Sequence, residues 1–293
     1  MTAKRANIAK TPYPMLVPAA LLFGMFFAYP LLRGIGLSLT DWDGIGTARF
    51  VGLDNFLEFF GDRRALRDVS NTVLFALGSA PGLVLAGLAL ALLIDRPSRF
   101  FRAARTVIYL PAIASPLVMG YVWYFLLQPG RGLIARAGRS AFGPSFAFDW
   151  LSGDSSALVL LVAVNVWQYA GMTMVIFLAG LQAVPQEMYE AARLDGAGAW
   201  TCFRKITLPF LIPSMKVNVV TNIIGSLSVF DVVMGLTEGG PGYATETLSI
   251  YIMRKCFGSF TGYSTAVAVV LFLIILVPTA VYLRAVRSSE FER

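Results

Sequence analysis

Hydrophobic residues fall in six long runs separated by shorter polar stretches. A helix needs about 20 mainly apolar residues to cross a bilayer. The runs at 14–39, 71–94, 107–127, 157–181, 210–235 and 264–283 all reach that length. The pattern predicts an all-α, polytopic membrane protein with a tail at 1–13, a transmembrane domain at 14–283 and a second tail at 284–293. The first run is too long for a signal-peptide core and has no small-x-small cleavage site after it, so it is expected to stay as an anchor. Pro or Gly interrupts several runs: Pro18 and Pro30, Pro81 and Gly82, Pro111 and Pro116, Gly171 and Gly180, Pro213, Pro278. Membranes tolerate such breaks where the helix packs on protein or lines a cavity. Kinked helices are therefore expected, which suits a transporter better than a simple anchor.

Composition agrees with this reading and narrows it. The chain is 57% hydrophobic and only 14% charged, against about a quarter charged in a soluble domain. The net charge of +7 could point to nucleic acid, but the basic residues sort by side. Lys4, Arg5 and Lys10, then Arg96, Arg99, Arg102 and Arg105, then Arg193, Arg204 and Lys205, then Arg284, Arg287 and Arg293 share one side of the six-span layout. The side denser in Lys and Arg is cytoplasmic. Both termini are thus expected inside, in a bacterial inner membrane, with no nucleic acid bound. Cys202 then lies inside and Cys256 outside, so they cannot pair, and two cysteines make no zinc site. The absence of histidine removes the commonest general base and metal ligand. No GxxxxGK[ST] loop is present, so no cofactor, metal or ATP hydrolysis is expected on this chain.

One polar stretch stands out. In YEAARLDGAGAWTCFRKITLPFLIP, residues 189–213, small residues and balanced charge replace the surrounding apolar sequence. Pro185 precedes Gln186, Glu187 and Glu190, which places acids in the first turns of a helix, where its dipole favours them. Gly196 and Gly198 break that helix. A second runs from about Ala199 to Lys205, with Arg204 and Lys205 at its C-terminal end. The result is a compact helix–turn–helix at 185–209. Its small residues allow close approach by another backbone. Physics alone leaves two readings open, a helix lying on lipid and a helix docked in a partner's groove.

The spacing adds a resemblance. Glu190-Ala191-Ala192, three residues, Gly196, nine residues, then Ile206-x-Leu208-Pro209 resembles the EAA pattern of ATP-binding-cassette (ABC) importer permeases, in the form found in the sugar branch. LTEGGPGYATETLSIYIMRKCF at 236–257 and FVGLDNFLEFF at 50–60 resemble outer loops of permeases like the larger maltose-transporter subunit. This chain lacks that subunit's extra N-terminal spans and large outer domain. The resemblance implies the type I importer permease fold. The chain would form half of a translocation pathway, completed by a second permease, two ATPase subunits carrying ATP and Mg, and an extracytoplasmic solute-binding protein. It implies that the EAA loop is the coupling helix: Glu190 would make the polar contact at the ATPase, Ala191 and Ala192 the close-packed face, Gly196 the turn, with Asp195 beside them. The loop at Gly239, Gly240 and Pro241 would face the binding protein.

Polar residues inside spans are costly and commonly functional. Span four carries Asn165, Trp167, Gln168 and Tyr169. Span five carries Asn218, Thr221, Asn222 and Ser226, with Phe230 and Asp231 near its outer end. Asn218, Asn222 and Ser226 are four apart and share one helix face. Taken singly, each can be interhelical glue. Taken together, Trp167, Gln168, Asn218, Asn222, Ser226 and Phe230 suit a sugar path, where aromatic rings stack and amides bond hydroxyls. Lys216 is the only basic residue in the two spans that carry this polar group, and it lies near the cytoplasmic end. That favours a neutral sugar or oligosaccharide. A glycerol phosphate or its diester is the alternative cargo. An ion-driven secondary carrier is a weaker one, because mid-span carboxylates are scarce.

Overall fold

The computed structural model describes residues 16–288 apart from Pro97, Pro144, Ala147 and Phe148, and apart from the side chains of Arg287 and Ser288. Lys4, Arg5, Lys10 and Arg293, with all of the first expected tail and half of the second, lie outside the described residues. The described chain is helical, with an isolated antiparallel bridge between Thr40 and Phe50. Four helices are long and apolar enough to cross a membrane: α1 Leu16–Leu37, α3 Arg63–Ile94, α7 Asp154–Gln182 and α13 Thr261–Ser288. Short α2, Asp54–Gly61, precedes α3. Two bent pairs, each counted as one span, make six: α4 Arg99–Ile113 with α5 Pro116–Leu127, and α9 Ala199–Phe210 with α10 Ile212–Leu227. The remaining helices are α6 Leu133–Phe142, α8 Gln186–Leu194, α11 Asp231–Leu236 and α12 Leu248–Phe257.

Proline position decides which expected kinks occur. Pro81, Pro111 and Pro278 sit inside helices that run on through them. The α4–α5 pair turns by 96° at Ala114 and Ser115, both extended, just before Pro116. Proline disfavours helical geometry in the residue before it and opens the next helix well. The expected third span at 107–127 is thus two helices, beginning earlier at Arg99. The expected fifth span at 210–235 is α10, a break at 228–230, and the separate short α11. Its first bend, 65° between α9 and α10, sits at Leu211, close to Pro213.

The bundle is built on α3 and α7. A Cβ on Gly78 would touch Val162 at 3.1 Å, one on Gly82 would meet Val166 at 2.9 Å, and one on Gly87 would strike Thr173 at 2.4 Å. Contacts that advance together along both helices mean that they run parallel, with backbones brought close by small residues. Arg67 near the start of α3 pairs with Asp154 at the start of α7, at 2.9 Å. Ile94 and Gln182 therefore lie at the opposite end. Gly82, expected as a helix break, is here a packing residue. One core gathers Phe75, Leu161, Val164 and Val233; another gathers Ala91, Met174, Phe177 and Leu211. α1 has no buried residue and touches mainly α13. Its exposed Phe23, Phe26 and Phe27 are compatible with a lipid surrounding.

Candidate functional site

The polar stretch folds into an elbow at the Gln182 end of the bundle. Pro185 leads into α8, with Glu187 in the first turn and Arg193 in the last. The helix ends in a Schellman turn: Ala197 N–H donates to Ala192 O at 2.9 Å and Gly196 N–H to Arg193 O at 3.0 Å. Gly196 has φ +75°, with open space where a Cβ would lie, so backbone conformation rather than crowding calls for glycine. α9 then runs to Phe210, past the expected Lys205. A 2.8 Å hydrogen bond between the Tyr189 and Thr207 hydroxyls ties the two arms together. Glu190, Ala191, Asp195 and Gly196 are exposed and Ala192 is half-buried. Glu190 accepts from Gln186 Nε2 at 3.0 Å. Leu194 is 91% exposed and Trp200 71%. A surface of small residues flanked by bare apolar side chains is a surface for contact with something else.

The elbow connects directly to both walls of a polar groove. Only Ala183, Val184 and Pro185 separate α7 from α8, and α9 passes into α10 at Leu211. Between α7 and α10 lies a cavity of about 290 Å³, lined among others by Asn218, Asn222, Ser226 and Phe230. Asn218 Nδ2 donates to Thr173 O and Asn222 Nδ2 to Thr173 Oγ1, each at 3.3 Å. The stripe is therefore partly interhelical glue and partly groove wall. Ser226 Oγ is buried with no hydrogen-bond partner among the described residues.

Trp167 and Gln168 do not line this groove. Trp167 packs edge-on against Trp123, with ring centroids 5.3 Å apart. Gln168 is wholly buried, and its Nε2 points at Pro111 O and Ala114 O, 3.5 and 3.4 Å away. These carbonyls lie where α4 breaks off, so the amide serves the bent third span. Tyr169, Thr173 and Asp231 also reach the groove. Thr173 carries no signal in sequence, since its role depends on where α10 lies against α7.

The loop expected to face outward sits at the other end of the bundle. Gly239 has φ +84°, and its missing Cβ would lie 3.2 Å from Glu246 Cα; the Gly240–Pro241 peptide is cis. Thr245 Oγ1 donates to Gly240 O at 2.6 Å. Glu246 is fully buried between two guanidinium groups. It accepts from Arg64 Nε and Nη2 at 2.7 and 2.9 Å and from Arg254 Nη1 at 2.7 Å. Beside it, Asp62 caps α3 by accepting from the backbone N–H groups of Arg64 and Ala65, and it accepts from the Tyr251 hydroxyl at 2.5 Å. Burial alone would raise the Asp62 pKa. The three hydrogen bonds and the Lys255 charge outweigh it and hold the carboxyl below its usual range. Burial, then the Asp62 bond, push the Tyr251 hydroxyl up. This cluster joins residues 182 apart in sequence, which no local pattern could pair.

Residues 63–288 match the family described as "Binding-protein-dependent transport system inner membrane component". The chain is 34% identical over 283 residues to the sn-glycerol-3-phosphate transport system permease protein UgpA of Escherichia coli O157:H7, covering 95% of this chain and 94% of the relative. It is 30% identical over 294 residues to the probable starch degradation products transport system permease protein AmyD of Thermoanaerobacterium thermosulfurigenes, covering 99% of each. Its fold matches a chain of a bacterial ABC transporter involved in the import of the acidic polysaccharide alginate, with a TM-score of 0.81, 24% identity, and 94% of each chain covered. With its six apolar spans, its elbow and its groove, the chain belongs to the family of inner-membrane permease components of binding-protein-dependent transport systems.

Proposed function

We propose that this chain forms one membrane half of an ATP-driven importer whose cargo is a sugar or oligosaccharide. It carries no chemistry of its own: ATP and Mg belong to two ATPase subunits, one of them docked on this elbow, and a second permease closes the groove. Both termini and the elbow face the cytoplasm, and the loop at Gly239, Gly240 and Pro241 faces a solute-binding protein outside. Glu190, Ala191, Ala192, Asp195 and Gly196 form the docking face. The observation that carries this reading is the groove itself. Its two walls are the two helices joined directly to the elbow, so a tilt of the elbow moves both walls together. Alternating access follows, with ATP-bound closure opening the groove outward and hydrolysis resetting it.

The groove also speaks to the cargo. Amides and hydroxyls face it, and among the described residues no Lys or Arg lines it and its one charged side chain is Asp231. Such a wall bonds sugar hydroxyls and gives an anion nothing to pair with. AmyD, a probable permease for starch degradation products, is similar along its whole length. UgpA keeps a glycerol phosphate in view as cargo, but that cargo would have to draw its positive charge from the second permease. The test is to purify the complex through this chain in mild detergent and measure ATP hydrolysis with its binding protein against a panel of sugars and glycerol phosphates. Stimulation by one neutral sugar is expected. If only the phosphate esters stimulate, the cargo assignment fails. If no ATPase copurifies from an intact membrane complex, the coupling assignment fails with it.

A further inference from the structure

The Arg64–Glu246–Arg254 cluster does more than hold a loop. It floors an open pocket of about 530 Å³ walled by Arg64, Tyr243, Arg254, Lys255 and Phe260. We propose that this pocket receives a carboxylate side chain of the solute-binding protein, a charged contact that guides docking. The proposal rests on the orientation given above, which puts this end of the bundle outside.

The charges are arranged for such a guest. Three cations, Arg64, Arg254 and Lys255, meet two carboxylates, Glu246 and Asp62, which leaves one positive charge in excess. Glu246 engages Arg64 through Nε and Nη2 only, so Arg64 Nη1 is not used in that pair. Lys255 Nζ forms an ion pair with Asp62 Oδ2 at 4.0 Å, too long for a hydrogen bond, and that oxygen also accepts from Tyr251. The other acids nearby do not fill the pocket. Asp68 is fully buried and hydrogen-bonded to none of these cations, and Glu238 meets Arg254 through its backbone oxygen. The cations are also held in place. The Arg64 guanidinium lies 3.7 Å above the Tyr243 ring, and Lys255 Nζ sits 5.1–5.5 Å from the rings of Tyr251, Tyr263 and Phe260. Arg64, Arg254 and Lys255 keep 33%, 33% and 28% of their side-chain surface exposed. Cations already fixed in position lose little entropy when they meet an anion.

The test uses the assembled transporter in phosphatidylcholine nanodiscs, with wild-type chain and with Lys255→Glu, and its purified binding protein as the probe. Association is measured at low and at high salt, and a melting curve checks that the variant is folded. Lys255→Glu should slow association about fivefold at low salt and flatten the salt dependence, as removal of a steering charge does. A reversed charge on the binding protein's facing acid should restore the rate. Equal rates and equal salt slopes in wild type and variant would overturn the proposal. So would a defect that appears only when anionic lipid is added, since the pocket would then hold a headgroup. If no binding protein associates even with wild type, the importer reading fails as well. Association that is normal and identical in both chains defeats the pocket alone.

Discussion

Two glycines show how differently one residue type can be required. At Gly196 the demand is conformational. A β-branched side chain at φ +75° costs about 1–2 kcal/mol, here in an exposed turn that holds the proposed docking face. Gly196→Val is expected to reach the membrane in normal amount and to lose most sugar uptake; Glu190→Lys should do the same. Immunoblots of membranes beside uptake assays check both, and normal uptake in both would sink the coupling role. At Gly87 the demand is space, because a side chain would strike Thr173 in the neighbouring helix. Gly87→Val should cost about 1–3 kcal/mol by overpacking, seen as a lower melting temperature of the purified chain. Asp62 gives a pH-dependent case. Its carboxyl is held below its usual value of 3.8, so the stability it lends is present above that pH and is lost as pH falls through the lowered value. Asp62→Ala should cost about 1 kcal/mol at neutral pH and shrink the loss of melting temperature between neutral pH and pH 3.

At the scale of elements, buried polar groups decide what moves and what stays. Glu246 fixes the loop after α11 to the start of α3 and to α12. Glu246→Ala would leave two guanidinium groups facing each other without a counter-charge. The cost should approach about 3 kcal/mol, the lower figure for breaking a buried pair, because both arginines retain some solvent. Thermal unfolding in detergent measures it. The amide stripe on α10 behaves otherwise. Its bonds to Thr173 are long, at 3.3 Å, and such contacts can be exchanged for bonds to a sugar as α10 shifts against α7. Asn222→Leu should raise the KM for uptake about tenfold, the equivalent of about 1.4 kcal/mol of lost binding. Assembly with the partner subunits should be unchanged by it, as judged by copurification.

At the scale of the whole molecule, the parallel run of α3 beside α7 sets the two functional ends apart. Arg67 and Asp154 mark the end with the cationic pocket, and the elbow follows Gln182 at the other. The groove lies between them, open along the face where α7 and α10 meet. One chain thus presents a polar groove with the elbow at one end and a charged rim at the other. α1 stands apart with no buried residue, so the core of this subunit does not depend on it.

The sequence by itself determined the features that are local or periodic. Apolar run length marked six segments long enough to cross a membrane, the Pro and Gly spacing around 185–209 gave the elbow, and a repeat of four put Asn218, Asn222 and Ser226 on one face. Each follows from backbone geometry within a few turns of chain. Tertiary structure decided whatever depends on which helix lies beside which. It turned Gln168 from a path residue into a support for the broken third span, made Gly82 a packing surface, and brought Thr173 into the groove. It also joined Arg64 and Arg254 around Glu246. These outcomes rest on contacts between segments far apart in sequence, and the close approach of α3 and α7 that sets those contacts is a property of two surfaces fitted together.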